Sequence, residues 1–288
     1  VVGLTGSVGN TSTEELIASV LSARYNVMKT IGNKNNETGV PLTLFTLDES
    51  HEVAVVEMGT NHFGEIGRLA AMAKPQICVF TNIGVAHIEN FGSREGILKG
   101  KTEMLAHMQA GGTVIVNGDD DMLATIPGAM RFGFSDACDL RAVDVLDQGL
   151  DGVSFTACYK GNEARAHVPS PGLHSVSNAL AAIAVGLTLH MGLEELAEGV
   201  GAFAAPPGRM NIKQTPRFRI LDDTYNANTV SMMAAVDVLE KVQGRKVCIL
   251  GDMLELGRES AEHHEVLGMY AAMRSEEHTS ELQSRSDL

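Results

Sequence analysis

Short apolar runs recur along the first two-thirds of the chain, at Val1–Thr5, Val53–Glu57, Ile77–Thr81 and Thr113–Asn117. Amphipathic stretches at Thr13–Arg24, Glu65–Ala73 and Glu95–Gln109 lie between them. Apolar runs without polar alternation belong to strands covered on both faces, and joining them through helices yields a parallel sheet. From Ala129 to Val168 the pattern changes to β-type segments punctuated by Asp151-Gly152 and Lys160-Gly161-Asn162, turn signals that join antiparallel strands. His174–His190 then reads as an Ala-rich helix able to pack closely on the sheet.

Ala205-Pro206-Pro207-Gly208 breaks this pattern and is the expected domain boundary. Beyond it, strand Phe218–Leu221, helix Ser231–Val242, strand Lys246–Leu250 and helix Glu259–Met273 read as the opening of a second α/β, Rossmann-like domain. The expected organisation is therefore an α/β, P-loop-type ATPase domain over 1–208, mostly parallel with a smaller antiparallel portion, then a partial second domain over 209–273. Hydrophobic periodicity stops at Arg274, and most of 274–288 resembles an in-frame translation of a sequencing-library adapter. That stretch is expected to be foreign and disordered.

Composition narrows the function classes. A formal net charge of −14 argues against a nucleic-acid surface, which needs clustered Lys and Arg. No apolar run approaches the roughly 20 residues of a membrane helix, so no membrane insertion is expected. The start, Val1-Val2-Gly3-Leu4-Thr5, is not a signal peptide; it lacks an initiator Met and opens directly on a strand, so sequence upstream is expected to be missing. Cys78, Cys138, Cys158 and Cys248 are scattered without a CxxC pair, which suits reduced thiols in a cytoplasmic protein. A monomer is expected.

The chemistry begins at Thr5-Gly6-Ser7-Val8-Gly9-Asn10-Thr11-Ser12-Thr13, between a strand and a helix. There, glycines let backbone N–H groups wrap an anion at a helix N-terminus. Gly6, Ser7, Gly9, Thr11 and Ser12 are the candidate nucleotide-binding residues, with the Thr11 hydroxyl placed to reach Mg²⁺. The loop departs from GxxxxGK[ST], and Asn10 stands where a phosphate-binding lysine is anticipated. A charge-assisted contact is about twice as strong as a neutral one, so this exchange is expected to impair phosphoryl transfer.

Further segments carry a resemblance. Gly32-Asn33-Lys34-Asn35-Asn36-Glu37-Thr38-Gly39-Val40-Pro41, Glu57-Met58-Gly59 through Gly64-Glu65-Ile66, Thr81-Asn82-Ile83-Gly84-Val85-Ala86-His87 and Lys99-Gly100-Lys101-Thr102-Glu103 follow the loop in order. Gly172-Leu173-His174 through Asn178-Ala179-Leu180-Ala181-Ala182, Asp222-Asp223-Thr224-Tyr225-Asn226-Ala227-Asn228 and Gly251-Asp252-Met253-Leu254-Glu255-Leu256-Gly257 complete the set. Together they resemble the motifs of the Mur ligase family, and the second and seventh of these eight motifs, the loop counted first, resemble its D-alanyl-D-alanine-adding branch.

The resemblance implies an ATP-dependent amide ligase working through an acyl phosphate. Its implied substrates are a UDP-N-acetylmuramoyl-tripeptide and D-alanyl-D-alanine, with ATP and Mg²⁺ required. It implies Glu57 as a Mg²⁺ ligand, His87 at a second metal, and Lys101 as a lysine that can be carbamylated to help bind that metal. It also implies Asn178 at the adenine, and Arg209 and Asp223 reaching the nucleotide from the second domain. Catalysis would then involve position 10, His87 and Lys101. Other enzymes of this fold, of folylpolyglutamate synthase or cyanophycin synthetase type, remain open alternatives. So does an inactive nucleotide-binding remnant, which Asn10 favours.

Overall fold

The structure is a computed structural model and describes residues 1–85, 87–254 and 256–274. Residues 275–288 of the expected foreign tail, 274–288, lie outside the described residues, as does Glu255. Arg274, the first residue of that stretch, is described. It closes the last helix, its guanidinium 3.6 Å from the Tyr270 ring centroid and its Nε 3.2 Å from both Asp237 and Glu240.

The chain opens with β1 (Val2–Thr5), α1 (Asn10–Leu21), β2 (Val27–Lys29), α2 (Gly39–Leu44), β3 (Val53–Glu57), α3 (Glu65–Ala73) and β4 (Ile77–Phe80). Next come α4 (Ile88–Phe91), α5 (Arg94–Thr102), β5 (Thr113–Asn117) and β6 (Met130–Gly133). Then follow β7 (Leu140–Asp147), β8 (Val153–Tyr159), β9 (Asn162–Val168), α6 (Leu173–Thr188) and α7 (Leu193–Gly201). After the Pro/Gly break lie β10 (Asn211–Gln214), β11 (Arg219–Asp222), α8 (Thr229–Glu240) and α9 (Ser260–Arg274).

Strands β1 to β9 form one nine-stranded sheet in the order β2-β3-β1-β4-β5-β6-β7-β8-β9. It is parallel from β2 to β7, and β8 and β9 then add antiparallel. The change of direction comes later than Ala129 because β6 still pairs parallel with both neighbours. Its ladder with β7 covers only Phe132–Leu140 and Gly133–Arg141, short enough for the loop 134–139 to carry the chain back.

Each central strand is covered on both faces, as apolar runs without alternation require. Val2, Leu4 and Val55 face a core shared with α1, α6 and α7, whereas Ala54, Val56, Cys78 and Phe80 face one shared with α3 and α5. The alanines of α6, Ala179, Ala181, Ala182 and Ala184, are fully buried, and their small side chains let this helix lie close to both α1 and the sheet.

Beyond the boundary, β10 and β11 form an antiparallel hairpin, and α8 packs on α9. The expected strand at Lys246–Leu250 does not form. Among the described residues it has no strand partner, and Ile249 is 95% exposed. An apolar run without a ladder leaves its N–H and C=O groups to water, so sequence alone cannot hold it as a strand.

Candidate active site

Strand β1 ends with β3 on one side and β4 on the other, at the point where the strand order reverses. Ligand crevices of open α/β sheets form outside the carboxyl ends of strands at such a point. The loop Gly6–Gly9 leaves β1 there and is stitched to the exit of β4. The Asn82 carboxamide oxygen accepts the N–H groups of Ser7 (3.1 Å) and Val8 (3.0 Å), and its Nδ2 donates to the Val8 carbonyl (3.0 Å). Gly84 N–H donates to Ser7 Oγ at 2.9 Å.

This close approach dictates the glycines. A Cβ on Gly6 would stand 1.8 Å from Thr81 Oγ1, and Gly9 adopts φ 79°, a left-handed conformation that costs other residues energy. Helix α1 begins at Asn10, earlier than the expected Thr13, and no side chain caps it. An uncapped N-terminus with its dipole facing a cleft is suited to an anion.

Glu57 ends β3 beside the loop and is 5% exposed. Thr11 Oγ1 donates to its Oε2 at 3.0 Å, and Asn35 Nδ2 donates to its Oε1 at 2.7 Å. Behind it sits Glu14 on α1, whose Oε1 accepts the backbone N–H of Thr30 (3.0 Å) and of Glu57 (3.2 Å). Burial first, and the Glu57 carboxylate second, push the Glu14 carboxyl up to about 8. Glu14 thus holds the strand end that aims Glu57.

Lys101 on α5 is 3% exposed, and its Nζ donates to the Gly6 carbonyl at 2.8 Å. Burial pushes its ammonium down to about 8, with Glu57 acting in the opposite direction. Asn10 folds back onto the same atom. Its Nδ2 donates to Gly6 O at 2.8 Å, while its Oδ1 accepts from Thr81 Oγ1 at 3.1 Å.

Two side chains from beyond the boundary close over the loop. Arg209 Nη2 lies 3.4 Å from Thr11 Oγ1, and its guanidinium stacks 4.2 Å from the Tyr225 ring centroid. Its buried Nε has no hydrogen-bond partner among the described residues. Asp223 accepts the Met210 N–H at 3.0 Å, and burial raises its carboxyl from its ordinary value.

One open cleft of about 200 Å³ is lined by Gly6, Ser7, Gly9, Asn10, Thr11, Glu57, His87, Lys101, Arg209 and Asp223. His87 takes a left-handed backbone (φ 60°) at the start of α4. Two expected residues are not on the cleft wall. Ser12 lies within the first turn of α1, and Asn178 stands behind the loop, accepting from Thr13 Oγ1 at 3.1 Å and lying against Gly9. Among the described residues no group of three or more His, Cys, Asp and Glu side chains is placed to hold a metal ion.

The sequence reading missed Glu14 and the parts played by Asn35 and Asn82. The two asparagines lay inside motifs already singled out. Thr11-x-x-Glu14 has the spacing of a capping box, which points Glu14 towards a helix cap rather than towards β3.

A profile of the Mur ligase middle domain matches residues 4–186, and one of the Mur ligase, glutamate ligase domain matches residues 208–278. The chain belongs to the Mur ligase family. The chain is 38% identical over 273 residues to the UDP-N-acetylmuramoyl-tripeptide--D-alanyl-D-alanine ligase of Bacillus subtilis (strain 168), covering 93% of this chain and 59% of the relative. It is 37% identical over 276 residues to the ligase of the same name from Escherichia coli (strain K12), covering 93% and 61%. Among solved structures, MurF from Acinetobacter baumannii superposes with a TM-score of 0.89 at 36% identity, covering 94% of this chain and 61% of that one. The MurF ligase of Thermotoga maritima in complex with ADP superposes with a TM-score of 0.85 at 30% identity, covering 93% and 63%. The chain thus spans about three-fifths of the length of these relatives.

Proposed function

We propose that the chain is the ATP-handling core of a ligase that joins the carboxylate of a UDP-N-acetylmuramoyl-tripeptide to the amine of D-alanyl-D-alanine. One observation carries this reading. The glycine loop, the Thr11–Glu57 pair and the Arg209–Asp223 group, from segments far apart in sequence, line one cleft at the switch point of the sheet. The names of the relatives supply the substrates, and the ADP complex of the Thermotoga maritima relative supports ATP as the phosphoryl donor.

The residues present fit Mg²⁺. This ion takes one or two carboxylates plus hydroxyl, phosphate and water oxygens. The Glu57 carboxylate and the Thr11 hydroxyl, side by side on the cleft wall, would hold it. When bound, the ion neutralises charge on the polyphosphate. His87 lines the same cleft and is the candidate for a second ion, which Lys101 joins only as a carbamate.

With the Ser7 and Val8 N–H groups taken by Asn82, the first-turn N–H groups of α1 hold the polyphosphate, and Asn35 and Glu14 keep Glu57 aimed. Arg209, held flat by Tyr225, adds a fixed planar donor set from the other wall. In this setting the tripeptide carboxylate oxygen attacks the γ-phosphorus and the bond to ADP breaks. The amine of D-alanyl-D-alanine then attacks the acyl carbon, loses a proton, and phosphate departs with the oxygen that came from the carboxylate. The four unpaired thiols fit the reducing cytoplasm where nucleotide-linked precursors are made.

Asn10 favours a second reading, a core that binds nucleotide without turnover. A chimera joining residues 1–274 to the flanking segments of the Bacillus subtilis relative tests both. Phosphate release that requires ATP, the tripeptide and D-alanyl-D-alanine together supports the ligase. ATP binding without such release supports the second reading.

A further inference from the structure

One carboxamide holds both backbone groups of a loop residue. Asn82 Oδ1 accepts the N–H of Val8 at 3.0 Å and that of Ser7 at 3.1 Å, while its Nδ2 donates to the Val8 carbonyl at 3.0 Å. The Ser7 N–H also reaches the Asn82 backbone carbonyl at 3.0 Å, whereas among the described residues the Val8 N–H has this side chain alone. Asn82 is not on the cleft wall, so it acts through the loop.

Asn82 is in turn fixed from behind. Its neighbour Ile83 is buried, its N–H donates to Asp120 Oδ2 at 2.7 Å, and its carbonyl accepts from Arg94 Nε at 3.1 Å and Nη2 at 2.9 Å. Asp120 Oδ1 takes the N–H groups of Met122 and Leu123, both at 3.0 Å, which ties it to the turn after β5. Arg94, at the start of α5, forks onto Asp121 at 3.1 and 2.5 Å. The exit of β4, the turn after β5 and the start of α5 therefore set where Asn82 stands, none of them through a nucleotide.

We infer that Asn82, gripped through Ile83 by Arg94 and Asp120, is the positioning residue of the glycine loop. The inference rests on the nucleotide-binding reading above. Ordering the backbone of one loop residue on binding weakens affinity by roughly tenfold, and Asn82 imposes that order at folding instead. It also takes the Ser7 and Val8 N–H groups out of the anion site. The polyphosphate of a nucleoside triphosphate is thereby directed to the first turn of α1, whose N–H groups precede the first helical bond, from Thr13 to Gly9 O.

The test uses the 288-residue chain, with amide exchange read residue by residue by NMR and ATP·Mg²⁺ affinity by calorimetry. Asn82→Ala is expected to speed Val8 exchange roughly tenfold without nucleotide, the scale of one lost hydrogen bond. Val79, inside β4 and paired on both sides, should keep its protection. ATP·Mg²⁺ affinity is expected to fall roughly tenfold or more in the same variant. Arg94→Ala leaves the Ser93 cap of α5 in place and is expected to move both readouts the same way by about threefold. Arg94→Lys, which keeps one donor for Ile83, should recover part of each. In the unmodified chain, ATP·Mg²⁺ should slow exchange at Thr11 and Ser12.

Unchanged Val8 exchange in Asn82→Ala would overturn the inference. So would equal or tighter ATP binding by that variant, the result if phosphate displaces the side chain, or no slowing at Thr11 and Ser12 when ATP binds. Should Asn82→Ala lose Val79 protection as well, the two Arg94 variants decide, and Arg94→Ala unchanged in both readouts would overturn the grip on Ile83. No ATP binding by the unmodified chain would instead remove the nucleotide reading itself, and this inference with it.

Discussion

Glu14 offers a test of the local electrostatics that does not depend on substrate. Its carboxyl is 1% exposed and held up to about 8 against an ordinary value of 4.5, by burial and by Glu57. Below 4.5 the folded and unfolded chains both carry the proton, and the group contributes nothing to pH dependence. Between 4.5 and about 8 the unfolded chain has released a proton that the folded chain keeps, so stability falls as pH rises. The slope is about 1.4 kcal/mol per pH unit, and the accumulated penalty reaches the order of 4–5 kcal/mol at the upper end. Glu14→Gln keeps an oxygen to accept from Thr30 and Glu57 but has no proton to lose. Urea unfolding followed by far-UV circular dichroism, from pH 5 to pH 8.5, gives the stability difference between the two chains. That difference should grow steadily in favour of the Glu14→Gln variant and level off near pH 8, whatever its constant offset. A difference that stays flat with pH would show that Glu14 ionises normally in the folded chain, and the described packing around Glu57 would be wrong.

Two further outcomes follow from the loop. Gly6→Ala puts a Cβ 1.8 Å from Thr81 Oγ1, so the loop must move, and ATP·Mg²⁺ affinity measured by calorimetry should drop about tenfold or more while the fold survives. Glu57→Gln retains the shape that Thr11 and Asn35 bind but removes the carboxylate, so the Mg²⁺ concentration needed for half-maximal ATP binding should rise about tenfold. An unchanged Mg²⁺ requirement would remove Glu57 from the metal site.

Much of the sheet was legible because its strands are buried on both faces. Val53–Glu57, Thr113–Asn117 and Glu65–Ala73 form over the residues at which their patterns begin and end. Val27–Lys29 escaped because only Met28 of its three residues is buried, too short a signal for any periodicity. Helix α2 begins at a glycine and includes Pro41, residues that read as a turn. Lys246–Leu250 failed in the other direction, since apolar character specifies a strand only where a neighbour supplies the ladder. At the site, motif order brought Thr11, Glu57, His87, Arg209 and Asp223 forward as candidates, and they do line one cleft. What no motif conveys is that Lys101 ends on Gly6, 95 residues away in sequence, and so stands beside the position whose charge is missing.

The central claim is that ATP activates a carboxylate in this cleft. The most direct measurement follows oxygen. The chimera carrying residues 1–274 is given ATP, D-alanyl-D-alanine and UDP-N-acetylmuramoyl-tripeptide labelled with ¹⁸O in the reacting carboxylate, and the released phosphate is analysed by mass spectrometry. An acyl-phosphate route transfers a carboxylate oxygen to phosphorus, so each product phosphate should carry a single ¹⁸O atom. Phosphate released without label would mean that water, not the tripeptide, attacks ATP, and the ligase account of this chain would be contradicted.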